Sequence, residues 1–283
     1  DRYESFGFAI AISQIGLPLI HIEAGDITMG GTYDDNVRHA ISALSSLFIT
    51  TNEKASNYLL QNKINSKRII NCGIFTGEKY FQIQSNKGLI AQYNLNKDKY
   101  DCIIIFTYHP LSSFIEGQIR ELDEIYKAFY KLSKEFRMRI LVTGVNADFG
   151  GEYVSEFINK FKSFDAEVSF HKTLGAKNYL AFMNYGKSEK VLIAGNSSSI
   201  VKEVPFFECV GVLIGSRQKG RKLGSNTLYT NADCEQIKEC ISNCISNYQN
   251  IRSVKNPYYI ENSIYKADEF IKKILSNNSI ELI

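Results

Sequence analysis

From Asp101 to Gly215 the chain repeats one unit, a short run dominated by apolar residues followed by a helical stretch. The runs are DCIIIFT (101–107), RILVT (139–143), AEVSF (166–170), KVLIA (190–194) and VGVLIG (210–215). A strand with one wet face alternates apolar and polar residues, whereas a strand that is apolar throughout is covered on both faces. The intervening stretches at 114–136, 151–163, 176–185, 199–207 and 233–247 have the character of helices and supply that cover. Strands joined through helices lie parallel, and right-handed crossovers turn them into a doubly wound α/β domain.

The first part carries a shorter version of the pattern. PLIHI (18–22), LFITT (47–51) and RIINC (68–72) read as strands, with helices at 34–45 and 52–61 and with Asp34 and Asn52 as expected N-caps. The polar stretch 84–99 breaks the rhythm and sets the expected boundary, giving domains at 1–93 and 94–283. A last helix at 257–276 has no strand after it, and the segment 257–283 is free to pack back on the first domain. A doubly wound half opens with βαβαβ, so a first domain of three strands reads as incomplete at its N-terminus. On the order of 60–100 further residues are expected ahead of Asp1.

Composition narrows the class of function. Lysine plus arginine is 33 against 30 aspartate plus glutamate, a net charge of +3, which gives no reason to expect nucleic acid or a membrane surface as partner. No run of eighteen apolar residues is present, and DRYESFGFAIAISQ lacks the basic start and cleavage site of a secretory signal. The six cysteines form no CxxC. Cys240 and Cys244 share a helix face with no histidine nearby, a packing face rather than a metal site. Cysteine usage of this kind fits a reducing, cytoplasmic compartment.

Ligands of open α/β sheets bind at the carboxyl ends of strands, and four such ends are rich in reactive groups. After PLIHI come His21-Ile22-Glu23-Ala24-Gly25-Asp26 and then Asp34-Asp35-Asn36-Val37-Arg38-His39. Neighbouring carboxylates push one another's pKa apart and so divide into an acid and a base. Glu23, directly after the strand, reads as functional; Asp26 and Asp35 read as solvated. Thr107-Tyr108-His109-Pro110 closes the next strand, with His109 either structural or a phosphate and proton contact. Asn146, in GVNADFGG, lies in an ordinary turn or faces a ligand. Gly195-Asn196-Ser197-Ser198-Ser199 starts a helix that carries Glu203, a serine cap or a phosphate cradle with a carboxylate for ribose hydroxyls. The loop Gly215-Ser216-Arg217-Gln218-Lys219-Gly220-Arg221 is a solvated basic cluster or a diphosphate contact. With neither GxGxxG nor a Walker loop, a nucleotide sugar fits better than NAD or ATP.

Taken in order, the segments DRYE, HIEAGDIT with DDNVRHAI, TYHP, NADFGG, GNSSS with Glu203, and GSRQKGR resemble the hydrolysing UDP-N-acetylglucosamine 2-epimerases. The resemblance runs from Asp1 to about residue 225. It implies two Rossmann-like domains of glycosyltransferase-B type and anti-elimination of UDP to a 2-acetamidoglucal, followed by hydration to N-acetylmannosamine. It implies catalytic roles for Asp1, Glu23, Asp34 and His109, with Arg2, His109, Asn146, Ser197, Ser198, Glu203 and Arg217 on UDP. No metal and no cofactor are implied; the partner is the UDP-sugar, the assembly a homo-oligomer, and the pathway sialic or nonulosonic acid synthesis. Two departures stand out. Ile200 replaces a family glycine, which is expected to weaken UDP binding, and the family's Gly-Thr-Arg opening loop has no counterpart. The alternatives are a non-hydrolysing 2-epimerase, a retaining glycosyltransferase, and a truncated module that only binds UDP.

Overall fold

The computed structural model describes residues 2–28, 33–84, 87–95, 99–111, 115–144, 151–161, 164 and 166–276. They form two compact units. The first comprises residues 1–79, 220–222 and 257–283, and the second residues 80–219 and 223–256.

The first unit is built on a parallel sheet, β1 (Ile20–Ile22), β2 (Leu47–Thr50) and β3 (Ile69–Asn71), in that order. β2 is central and buried at every residue, and its side chains alternate between two cores. Phe48 packs with Ala24 and with Leu59 of helix Glu53–Gln61. Ile49 packs on the other face with Cys72 and with Ala267 of helix Ser263–Ser276. The C-terminal helix thus covers a sheet of the first unit. The chain leading to it is tied to the loop after β3, where Ile74 N–H donates to Tyr258 O at 2.9 Å. Helix Tyr3–Gln14 meets helix Asp34–Ala43 through Ala9, Val37 and Ile41.

The second unit holds six parallel strands, β4 (Cys102–Thr107), β5 (Met138–Thr143), β6 (Glu167–His171), β7 (Val191–Gly195), β8 (Val210–Ile214) and β9 (Thr227–Thr230). Their order is β6-β5-β4-β7-β8-β9, so the winding reverses between β4 and β7. β4, β5, β7 and β8 are buried throughout, as runs apolar at nearly every position require. Helices Ile115–Glu135 and Cys234–Ser246 cover one face through Leu122, Ile125, Phe129, Ile237 and Ile241. All six cysteines are free; Cys72 belongs to the first unit's core, and only Cys240 is not fully buried.

Three expectations change. The boundary falls at 79/80 rather than 93/94, because described residues within the polar stretch pack with the second unit. Helix Lys87–Gln92 leads into buried Tyr93 and Leu95, and the buried Arg139 of β5 donates to Tyr93 O through Nε and Nη2 at 3.2 and 3.1 Å. The helix read as 199–207 ends at Lys202, and a 3-10 turn Val204–Phe206 with Pro205 near its start follows. β9 was not anticipated; it is a four-residue edge strand with Tyr229 exposed, and edge strands lack the fully apolar signature.

Candidate active site

β1 ends at Ile22 and the chain turns at once, with Glu23 at φ 64°. That left-handed conformation costs a residue with a Cβ roughly 1–2 kcal/mol, so surrounding contacts must hold it. Ala24 N–H donates to Ile49 O of β2 at 3.2 Å. Asp26 O accepts from Arg38 Nη1 at 3.1 Å. The Asp26 carboxylate pairs with Arg221 Nε at 3.1 Å, the side chains being 5% and 6% exposed. Thr28 donates its N–H to both Asp35 oxygens, at 3.0 and 2.8 Å, and Arg38 bonds the same carboxylate. Asp26 and Asp35 are therefore not the solvated turn residues their context suggested. They anchor the loop that carries Glu23.

Asp34 is the first residue of helix Asp34–Ala43 rather than its cap, a position that Tyr33 occupies without a side-chain bond. A carboxylate there is favoured by the helix dipole. His21 is buried, bonds Ser42 Oγ through Nδ1 at 2.9 Å, and is pushed down to about 4, chiefly by burial. Arg2 is exposed just ahead of helix Tyr3–Gln14 and makes no side-chain cap. Asp1 and Asn146 lie outside the described residues.

In the second unit the reversal between β4 and β7 opens a crevice at the strand ends. Thr107 and Gly195 are register partners; Gly195 has φ 126°, and a Cβ there would overlap the Thr107 carbonyl oxygen. The next residue, Asn196, is fully buried. Its N–H donates to Thr107 O at 3.1 Å, and its side chain accepts from His109 N–H at 2.6 Å and donates to His109 O at 2.8 Å. One amide side chain thereby continues the ladder past both strands and fixes His109 at the mouth. Asn196 O in turn accepts from Arg217 Nη1 and Gln218 Nε2 at 3.4 and 3.3 Å.

The crevice has a volume of about 390 Å³, and its lining includes Thr107, His109, Thr143, Lys172, Tyr179 and Ser197. Ser197 caps helix Ser198–Lys202, and Ser199 Oγ meets Tyr179 Oη at 2.6 Å. Ser198 is exposed, and Glu203 is half-buried with Tyr80 Oη donating to it at 3.4 Å; burial raises the Glu203 pKa. His109 and Ser197 are brought together in the lining, whereas Ser198, Glu203 and Arg217 are not part of it. Sequence reasoning missed Asn196, read only as one of a serine run, and missed Lys172 and Thr173. These last two follow β6 at its carboxyl end, where the rule that found His109 also points.

A family model described as UDP-N-acetylglucosamine 2-epimerase matches residues 1–272. The chain belongs to that family. The polysialic acid biosynthesis protein P7 of Escherichia coli is 29% identical over 291 residues, covering 99% of this chain and 70% of that protein. The GDP/UDP-N,N'-diacetylbacillosamine 2-epimerase (hydrolyzing) of Campylobacter jejuni is 30% identical over 81% of this chain, which spans 58% of that enzyme's length. Among solved structures, the Neisseria meningitidis UDP-GlcNAc 2-epimerase bound to UDP-GlcNAc superposes with a TM-score of 0.78 at 18% identity, covering 96% of this chain and 74% of that one. The fold is thus of the glycosyltransferase-B type that the epimerase family uses. Within this epimerase-family chain, the first unit presents carboxylates from a pinned loop and a helix start, groups suited to proton transfer. The second offers hydroxyls, His109 and Lys172 around a crevice suited to a phosphorylated ligand.

Proposed function

We propose that the protein is a hydrolysing UDP-sugar 2-epimerase acting on UDP-N-acetylglucosamine or a 2,4-diacetamido-6-deoxy relative. The observation that carries the reading is Glu23, a carboxylate held in a left-handed turn by four separate ties at the end of β1. Simple transfer or binding has no use for such a group. Removal of a weakly acidic C2 proton needs a base held in place. The reaction opens with loss of the C2 proton as the C1–O bond to UDP breaks, leaving the glycal. Water then adds at C1 and a proton returns to C2 on the opposite face, giving the manno sugar and free UDP. Glu23 and Asp34 carry the proton transfers, with Asp1 in support. His109, Arg2, Asn146, Ser197, Ser198, Glu203 and Arg217 hold the nucleotide, with Glu203 on the ribose.

Two relatives, named as a polysialic acid biosynthesis protein and a hydrolysing diacetylbacillosamine 2-epimerase, support the hydrolysing form and a place in the synthesis of sialic or related acids. A cytoplasmic homo-oligomer is part of the same proposal. Among the described residues no helix is long and apolar enough to cross a membrane. Incubation with UDP-N-acetylglucosamine in deuterated water tests the reading. Free N-acetylmannosamine with deuterium at C2 is expected. UDP-N-acetylmannosamine as product points to the non-hydrolysing reaction, and intact UDP binding without turnover points to a binding module. Glu23→Gln and Asp34→Asn are each expected to abolish turnover while UDP affinity stays within twofold, about the scatter of a binding assay.

A further inference from the structure

Arg217 and Arg221 stand on one loop after β8 that reads in sequence as a solvated basic cluster or a diphosphate contact, with Arg217 the residue the family resemblance places on UDP. The structure gives them different surroundings. Arg217 bonds Asn196 O in the second unit. Arg221 belongs to the first unit, where its side chain and that of Asp26 are almost wholly buried against each other at 3.1 Å. A guanidinium already matched to a buried carboxylate has little attraction left for a ligand anion, and removing either partner leaves an uncompensated charge.

The segment around Arg221 is fixed at each residue. Gly220 O accepts from Lys54 Nζ, Arg221 meets Asp26, and Lys222 O accepts from the buried Tyr258 hydroxyl at 2.6 Å. Burial raises the Tyr258 pKa, and the charges of Asp26, Arg221 and Glu23 all act on its hydroxyl, so the four side chains form one cluster. Asp26 is in the same turn as Glu23, whose left-handed backbone needs support from outside itself. Arg38 steadies the main chain of that turn, and Arg221 grips the Asp26 side chain from the far end of the sequence.

We propose that Arg221 is a positioning residue for Glu23, holding through Asp26 the turn that aims the Glu23 carboxylate, and that it takes no part in binding the diphosphate. The inference rests on the reading of Glu23 as a proton-transfer group. The two arginines of the loop then divide the work, Arg217 for the nucleotide and Arg221 for the geometry of the chemical step.

The test compares the unchanged chain with Arg217→Ala, Arg221→Lys and the paired replacement Asp26→Leu/Arg221→Met. The last removes both charges together and leaves neither buried alone. Turnover of UDP-N-acetylglucosamine, UDP affinity by calorimetry and fold by circular dichroism are measured for each. The paired replacement is expected to lower kcat about 100-fold, the scale of a misplaced reacting group, with the UDP Kd unchanged within twofold. Arg221→Lys keeps a cation and the fold and is expected to show the same split at about tenfold. Arg217→Ala is expected to do the reverse, raising the Kd about tenfold or more. A folded paired variant with undiminished kcat overturns the inference, as does one whose UDP affinity falls in step with that of Arg217→Ala. An inactive unchanged chain sinks the epimerase reading and this inference together, whereas an active chain indifferent to the pair sinks only the inference.

Discussion

His21 shows how strongly one buried residue can tie stability to pH. Its folded-state pKa is about 4 against an ordinary 6.5, with burial the main cause. In the unfolded chain it takes up a proton on falling through 6.5, while the folded protein resists until about 4. The unfolded state therefore binds more protons in that window, and the stabilisation present above pH 6.5 is progressively lost as pH falls through it. The full loss is about 3 kcal/mol. Urea midpoints measured from pH 7.5 to 4.5 are expected to fall more steeply for the unchanged chain than for His21→Gln, which retains a partner for Ser42. Equal slopes would remove His21 as the cause. At this scale the sequence was partly readable. Asn52 is a cap as expected, its side chain accepting from Ala55 N–H at 3.1 Å. Asp34 is not, because it already lies inside the helix and Tyr33, at φ −83°, ψ 0°, stands at the cap position. The Asp26–Arg221 pair left no mark on the sequence, since nothing periodic links residues so far apart.

Among the elements, helix Ser198–Lys202 answers the question raised by its departure from the family glycine. Ile200 is fully buried, and its Cγ2 lies over Gly211 of β8, 3.1 Å from where a Cβ on that glycine would stand. The side chain points into the sheet and is absent from the crevice lining, so the expected weakening of UDP binding has no steric basis. Ile200→Ala is expected to cost about 2–5 kcal/mol in denaturant unfolding through the cavity it leaves. UDP affinity should be unchanged; a tenfold loss would return the residue to the binding site. Helix Ile115–Glu135 contributes a second unforeseen support. Glu121 accepts from Tyr108 Oη at 2.7 Å and from Ser216 N–H and Oγ at 3.2 Å, occupying the space a side chain on Gly215 would need. Glu121→Ala strands those donors at about 1–3 kcal/mol and frees the loop that carries Arg217. A lower melting temperature and weaker UDP binding are expected together. Stability loss without any effect on UDP would show that the loop holds its shape unaided.

For the molecule as a whole, two units with separate cores predict two unfolding steps. Most UDP contacts proposed above lie in the second unit, so UDP at about 100 times its Kd should raise that unit's step by about 2.7 kcal/mol and leave the first unit's step in place. A single transition shifted as one would mean that the two cores unfold cooperatively. The second unit was legible almost strand by strand because burial on both faces writes itself as unbroken apolar runs such as CIIIFT and VLIAG. The boundary at 79/80 was not legible, because Arg139 binds the stretch through the main-chain carbonyl of Tyr93, and a carbonyl has no sequence signature.

The free cysteines provide a built-in means of watching these steps. Cys72 is buried beside Ile49 and Ala267 in the first unit, while Cys102, Cys209, Cys234 and Cys244 are buried in the second, with Cys240 half-buried on a helix there. A thiol reagent added to the native protein meets Cys240 first. Capture of Cys72 then times the opening of the first unit and capture of Cys102 or Cys209 that of the second. The protein thus carries separate chemical clocks for its two units with no label engineered into either.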